Sequence, residues 1–167
     1  MKKENKNMNV SSISKVVVSS GLGRTRQANA QFDDKVLPGI MSEFAAIVGQ
    51  KPAVRKAKKS IAGFKLRQNE TVGIVATLRG KRKDDFLLKL ANVVLPRLRD
   101  FRGISDSHLD KAGNLSIGFK DQSVFPEINP EASKWSFGLE VTIVAKFKDR
   151  DAAIDFYRQI GIPLTVA

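Results

Sequence analysis

Between Lys51 and Arg102 the chain carries fifteen of its twenty-nine Lys and Arg residues against four carboxylates, Glu70, Asp84, Asp85 and Asp100, so this third holds +11 of a net charge of +12. Such a stretch cannot be buried on two sides. It can give a core only the alternate residues of a strand or one face of a helix, and its cations must stand in loops or on an outer surface. The first fifty residues sum to +3 and the last sixty-five to −2. Charge therefore divides the chain into a basic surface and a nearly neutral remainder.

The apolar pattern fits that limit. Ile13 to Ser20, with Val16, Val17 and Val18, reads as a strand that puts Lys15, Val17 and Ser19 on one face, ended by a turn at Gly21-Leu22-Gly23. After a polar loop, Asp33 or Asp34 caps a helix carrying Leu37, Ile40, Met41, Phe44, Ile47 and Val48 inward, with Pro38 in its first turn and Gly49 at its end. Lys51 to Gln68 is a basic loop with room for a short strand at Pro52 to Lys56. Val72 to Arg79 alternates Val72, Ile74, Ala76 and Leu78 against Gly73, Val75, Thr77 and Arg79. A turn at Gly80 precedes a helix with Phe86, Leu87, Leu90, Val93 and Val94 inward, stopped by Pro96. Arg97 to Pro130 is irregular around a strand at Leu115 to Phe119, and a projecting loop is expected there. Leu139 to Phe147 alternates again, and Asp149 caps a last helix with Ala153, Phe156, Tyr157 and Ile160 on one face.

Strands and helices mix without βαβ alternation, which predicts an α+β fold: a single domain over residues 13–167, with a mostly antiparallel sheet, helices on one face and projecting basic loops. Residues 1–12 are expected to be a flexible polar tail. The opening lacks the apolar core of a secretory signal, no run is long enough to cross a bilayer, and cysteine is absent, so no membrane partner and a cytoplasmic setting, in the cell body or an organelle, are expected.

Chemistry of the usual catalytic kinds finds few candidates. His108 is the only histidine, so no His or Cys cluster can hold a metal or run acid-base catalysis, and neither a cofactor nor a metal is expected. The carboxylate pairs Asp33/Asp34, Asp84/Asp85 and Asp149/Asp151 stand at helix starts, where the helix dipole explains them. Gly21-Leu22-Gly23-Arg24-Thr25-Arg26 has two glycines of a dinucleotide fingerprint, but Arg26 replaces the third and no helix is expected to begin there; Arg24 and Arg26 remain able to reach a phosphate. The basic loop differs from a solvated helix face. Its Lys51, Arg55, Lys56, Lys58, Lys59, Lys65 and Arg67 are interleaved with Ser60, Gly63, Phe64 and Gln68, which suits phosphates, riboses and unstacked bases.

Four motifs in series then resemble a known family: Gly49-Gln50-Lys51-Pro52, Lys56 to Gln68 read as KAKKSIAGFKLRQ, Thr77-Leu78-Arg79-Gly80, and Pro96 to Gly103 read as PRLRDFRG. In order and spacing they are similar to the bacterial-type large ribosomal subunit protein five family, which binds 5S ribosomal RNA. Gly113-Asn114, Gly118 and Phe125-Pro126-Glu127-Ile128 continue the likeness, which covers about Ile13 to Ile160.

The resemblance implies an α/β sandwich and a structural, non-enzymatic role in the large subunit. Its implied partners are 5S RNA in the central protuberance, 23S-type RNA, peptidyl-site transfer RNA, neighbouring protuberance proteins and a protein of the small-subunit head. By motif, Gln50 and Thr77 fall at family positions on the RNA-facing sheet and Ser19 where the family usually has Asn; Lys15, Lys51 and Arg79 join them as the expected 5S RNA contacts. Lys59, Ser60, Gly63, Phe64, Lys65 and Arg67 match the loop that approaches transfer RNA. His108, Lys111 and Asn114 fall in the region of the intersubunit bridge.

The chain departs from the family where Phe-Asp-Gly-Arg-Gly-Asn-Tyr is common, reading Leu109-Asp110-Lys111-Ala112-Gly113-Asn114-Leu115, and where Arg-Gly-Leu-Asp becomes Phe137-Gly138-Leu139-Glu140. Met1 to Ser12 is also too short and polar to supply the family's extra first helix. Two other readings are a metal-dependent nucleic-acid enzyme built on the Asp pairs and an RNA-binding regulator outside the ribosome.

Overall fold

The computed structural model describes residues 12–98, 101–147 and 149–165. The expected tail, apart from Ser12, lies outside the described residues, as do Arg99 and Asp100 of the PRLRDFRG motif.

Seven strands and five α-helices are described: β1 (Ile13–Gly21), α1 (Gly23–Ala28), α2 (Leu37–Val48), β2 (Ala53–Lys56), β3 (Thr71–Leu78), α3 (Lys81–Lys89), α4 (Leu95–Arg97), β4 (Ile104–Ser105), β5 (Leu115–Phe119), β6 (Leu139–Ala145), α5 (Arg150–Gln159) and β7 (Leu164–Thr165). Five strands form an antiparallel sheet in the order β2-β3-β1-β6-β5 with helices on one side, so the α+β fold is as expected; β4 and β7 form a separate parallel pair. The described residues cluster into two compact units, 17–78 with 118–141, and 12–16 with 79–98, 101–117, 142–147 and 149–165. β1, β5 and β6 each pass from one unit into the other.

In the unit of 17–78 and 118–141, β2 and β3 run antiparallel with Ala53 opposite Val75 and Arg55 opposite Gly73. Gly73 sits so close to β1 that a Cβ there would lie 2.6 Å from the Ser20 carbonyl oxygen, which only glycine avoids. The core collects Val18, Ile40, Phe44, Ile47, Ile74, Ala76, Phe125 and Val141, all buried. Gln122, buried among them, donates from Nε2 to the Trp135 carbonyl at 2.6 Å and accepts at Oε1 from the Phe137 amide at 2.9 Å. Burial of that amide is tolerable because both its ends are satisfied.

In the other unit, Ile13, Val16, Leu87, Leu90, Val94, Ile143, Tyr157 and Ile162 are buried. Lys83, at 7% exposure, points inward: its Nζ donates to the Ile13 carbonyl at 2.7 Å and pairs with Asp84 at 3.2 Å.

Several sequence expectations are corrected. A helix does begin at Gly23, because the buried Leu22 donates its amide to the Val72 carbonyl at 2.9 Å and starts the turn that Arg26 closes onto the Leu22 carbonyl. Asp33 and Asp34 lie in a wide helical turn, Phe32–Val36, that runs into α2, and no side-chain cap is made there. Asp149 holds the N-cap position of α5, with its backbone rather than its carboxylate bonded to the Ala153 amide. Pro96 does not stop its helix: a second wide turn, Leu90–Val94, precedes α4 and carries the chain past the proline. β5 spans Leu115–Phe119 as expected, β6 starts at Leu139 as expected but ends at Ala145 and not at Phe147, and the irregular span is partly folded back, with Leu109, Phe125 and Ile128 buried.

Candidate nucleic-acid interface

The rows of β1 and β3 that face the helices are buried, namely Val16, Val18, Ile74, Ala76 and Leu78. Alternation turns Lys15, Val17 and Ser19 of β1, and Val75 and Thr77 of β3, to the opposite face, where all are half-buried. Helices cover one side of the sheet only, so this face is open. In the other unit, the Ser116 and Thr142 hydroxyl oxygens of β5 and β6 lie 3.3 Å apart.

Gln50 and Lys51 precede β2 and lie beside the end of β3. Gln50 Nε2 donates to the Thr77 carbonyl at 3.3 Å, which brings together two residues that are twenty-seven apart in sequence. Lys51 is exposed, and Arg79, two residues beyond Thr77, is exposed at the end of the strand. Of the sheet residues expected at RNA, Gln50, Lys51 and Thr77 are thus gathered at one end of the β2-β3 pair.

The chain between β2 and β3 is a structured hairpin. Its base is closed by the Ala57 amide on the Glu70 carbonyl at 2.8 Å and the Asn69 amide on the Ala57 carbonyl at 2.9 Å. Ile61 pairs with Leu66, a 3-10 turn spans Ala62–Phe64, and Lys65 takes φ 48 to reverse the chain. Ser60 Oγ accepts from the Gln68 amide at 2.9 Å, so Ser60 helps to shape the hairpin. Phe64 stands 67% exposed and Ile61 46%, an apolar tip flanked by the exposed Lys59, Lys65 and Arg67. Among the described residues, Lys51, Arg55, Lys59, Lys65 and Arg79 form no ion pair. Cations held in that way attract a polyanion.

Arg24 and Arg26, read as phosphate-reaching, differ from each other. Arg24 is exposed, whereas Arg26 is spent on Asp33 at 2.9 Å and Glu70 at 3.4 Å and lies over the Phe32 ring. The Arg67 amide, followed by the Arg26 guanidinium, holds Glu70 below the usual carboxylate range. For Asp33, partial burial acts upward but is outweighed by bonds from the Thr71 hydroxyl and Arg26, so its carboxyl is also lowered.

His108 and Lys111 are exposed on the loop between β4 and β5. Asn114 is different: its Nδ2 donates to Asp110 Oδ2 at 2.6 Å and its Oδ1 accepts from the Ala145 amide at 3.0 Å. The loop is held from within by Asp110, whose Oδ1 takes the Ala112 and Asn114 amides at 2.9 and 2.7 Å. Sequence reasoning missed Asp110, Gln122 and the inward turn of Lys83. Only the last left a signal, since Lys83 falls at helical spacing from Phe86, Leu87 and Leu90. Among the described residues no three His, Asp or Glu side chains converge as a metal site, and no helix is long and apolar enough to cross a membrane.

An α+β fold with a polar sheet face and a hairpin of unpaired cations has the features of a small basic protein suited to nucleic acid. Residues 6–67 match the family described as ribosomal protein L5, and residues 71–164 match the C-terminus described for the same ribosomal family. The chain is 46% identical over 156 residues to the large ribosomal subunit protein uL5 of Desulfatibacillum aliphaticivorans, covering 93% of this chain and 84% of that one. It is 43% identical, over the same shares, to uL5 of Rubrobacter xylanophilus. To uL5c of Gracilaria tenuistipitata var. liui it is 44% identical over 149 residues, or 89% of this chain and 80% of that one. The chain belongs to the ribosomal protein L5 family. It is a structural component of the large ribosomal subunit, with ribosomal RNA and other ribosomal components as its partners, and is not an enzyme.

Proposed function

We propose that the open sheet face binds 5S ribosomal RNA in the central protuberance, that the Lys59 to Arg67 hairpin contacts peptidyl-site transfer RNA, and that the loop carrying His108 and Lys111 reaches the small-subunit head. The observation that carries the first assignment is the 3.3 Å bond from Gln50 to the Thr77 carbonyl. It joins the two residues that the family likeness marks for RNA, at an open face and beside the unpaired Lys51. Cations give affinity through phosphates, while Gln50, Thr77 and Ser19 give fit through ribose and base edges. The exposed Phe64 supplies an apolar face for a ribose or base between cations. At the bridge loop the contacts fall to His108 and Lys111, because Asn114 is used inside the chain.

Filter binding to 5S RNA tests the sheet assignment. Gln50→Ala, or Thr77→Arg, which puts a long side chain on the fitted face, weakens binding about tenfold or more. Lys111→Ala leaves it nearly unchanged. Equal effects from all three would defeat the assignment, and failure of the protein to sediment with large subunits would defeat its ribosomal setting.

A further inference from the structure

The Gly21 to Arg26 motif takes no part in the RNA contacts proposed for the sheet and hairpin, yet α1 touches the basic hairpin at two points. Gln27 Nε2 donates to the Phe64 carbonyl at the hairpin tip, at 2.6 Å. Arg26 reaches Glu70 at the hairpin base at 3.4 Å and Asp33 ahead of α2 at 2.9 Å. A single guanidinium thus ties α1, the start of the α2 turn and the hairpin's return limb, and its planar fork suits two carboxylates.

Beside these contacts lies an open groove of about 570 Å³ lined by Arg24, Gln27, Phe64 and Lys65 among others. The hairpin tip therefore meets α1 through point contacts and not through packing. Left to its base bonds alone, a tip carrying exposed Phe64 and Ile61 would sample many orientations. We propose that Arg26 and Gln27 are positioning residues that hold the Lys59 to Arg67 hairpin against α1 before RNA arrives, so that its tip is presented to transfer RNA already oriented. Ordering it beforehand removes that entropy loss from the binding step. Arg26 stands where the dinucleotide fingerprint would need glycine, and its side chain is what the clamp requires. The role of the hairpin in binding transfer RNA rests on the reading under Proposed function; the clamp itself rests on the bonds that Arg26 and Gln27 make.

Hydrogen exchange on the free full-length chain tests the clamp. Amides of Ile61, Phe64, Lys65 and Leu66, all bonded within the hairpin, are compared with Val141 and Ile143 in β6 as a global reference. Arg26→Met and Gln27→Leu each speed the hairpin amides by about fivefold, with β6 unchanged. Arg24→Met, which removes the same charge without touching the clamp, leaves them as they were. If Arg26→Met also speeds β6, Glu70→Gln serves in its place, and the double variant with Arg26→Met then adds no acceleration in the hairpin beyond that of the single ones. Unchanged hairpin exchange in Gln27→Leu and Glu70→Gln overturns the proposal.

Anisotropy with deacylated transfer RNA and with 5S RNA supplies the second arm. Gln27→Leu, which changes no charge, weakens transfer RNA binding several-fold and leaves 5S RNA binding unchanged. Faster exchange with unaltered transfer RNA affinity supports the clamp and overturns the assignment of the hairpin to that RNA.

Discussion

At the level of single residues, Asp110 shows how one carboxylate can fix the course of a surface loop. Its two oxygens collect the Ala112 and Asn114 amides and the Asn114 side chain, and these bonds, led by the Asn114 side chain, hold its carboxyl below the ordinary range. Gly113 completes the device. Its φ of 81 suits glycine, a Cβ there would lie 2.8 Å from the Phe147 ring, and its carbonyl accepts from the buried Tyr157 hydroxyl at 2.8 Å. That phenol, desolvated by burial, is pushed far above its usual value and stays a donor at any working pH. A carboxylate whose folded pKa is depressed stabilises fully above its unfolded value, near pH 4, and loses that contribution as pH falls through the lower folded value. The Ala112 and Asn114 amide resonances are therefore expected to hold steady from pH 7 to about 4.5 and to shift together below that. In Asp110→Asn the acid transition disappears from both. A transition retained in the variant would assign the titration to another group.

Among the elements, the two proline-containing helices share a construction that composition does not reveal. Leu37-Pro38 and Leu95-Pro96 each follow a wide turn, Phe32–Val36 or Leu90–Val94, and resume α geometry with the proline at the second position. A proline removes one backbone bond and crowds the carbonyl four residues before it, and a turn of larger radius just ahead eases that crowding. α3 adds an anchor: Lys83 donates to the Ile13 carbonyl at 2.7 Å and so ties the first turn of the helix to β1. Lys83→Met keeps the stem but strands that carbonyl, so urea unfolding is expected to show a loss of about 1–3 kcal/mol with an unchanged slope. A variant as stable as the parent would mean that solvent satisfies Ile13. The strands were legible because period-two alternation at Leu139 to Ala145 and at Ile74 to Leu78 records burial directly. That the segment around Phe64 stays exposed was legible because its cations have no place in a core. What escaped was made by partners distant in sequence: Gln122 reaches Trp135 and Phe137, Asn114 reaches Ala145, and Arg26 reaches Glu70. Helix α1, six residues long and with none of them buried, has no apolar period by which it could be read.

For the molecule as a whole, the question is how much of the +11 between Lys51 and Arg102 a polyanion can use. Each cation that neutralises a phosphate releases counterions, so it adds somewhat under one unit to the slope of log K against log salt concentration. A charge count treats all fifteen cations alike, but the structure does not. Lys83 is buried and committed to Ile13 and Asp84, whereas Lys51 and Arg79 are exposed and form no ion pair. Lys134 is exposed as well, but lies in the part of the chain whose net charge is −2. In a titration of 5S RNA from 50 to 300 mM salt, Lys51→Met and Arg79→Met are each expected to flatten the slope by about 0.7–0.9. Lys83→Met and Lys134→Met leave the slope as it was, and for Lys83→Met this holds even though the protein is less stable. The combination separates the two uses of a cation, since one variant loses stability without salt dependence and another loses salt dependence without stability. Equal flattening by all four would mean that RNA senses only net charge, and the open face beside Gln50 and Thr77 would then have no claim to being the contact surface.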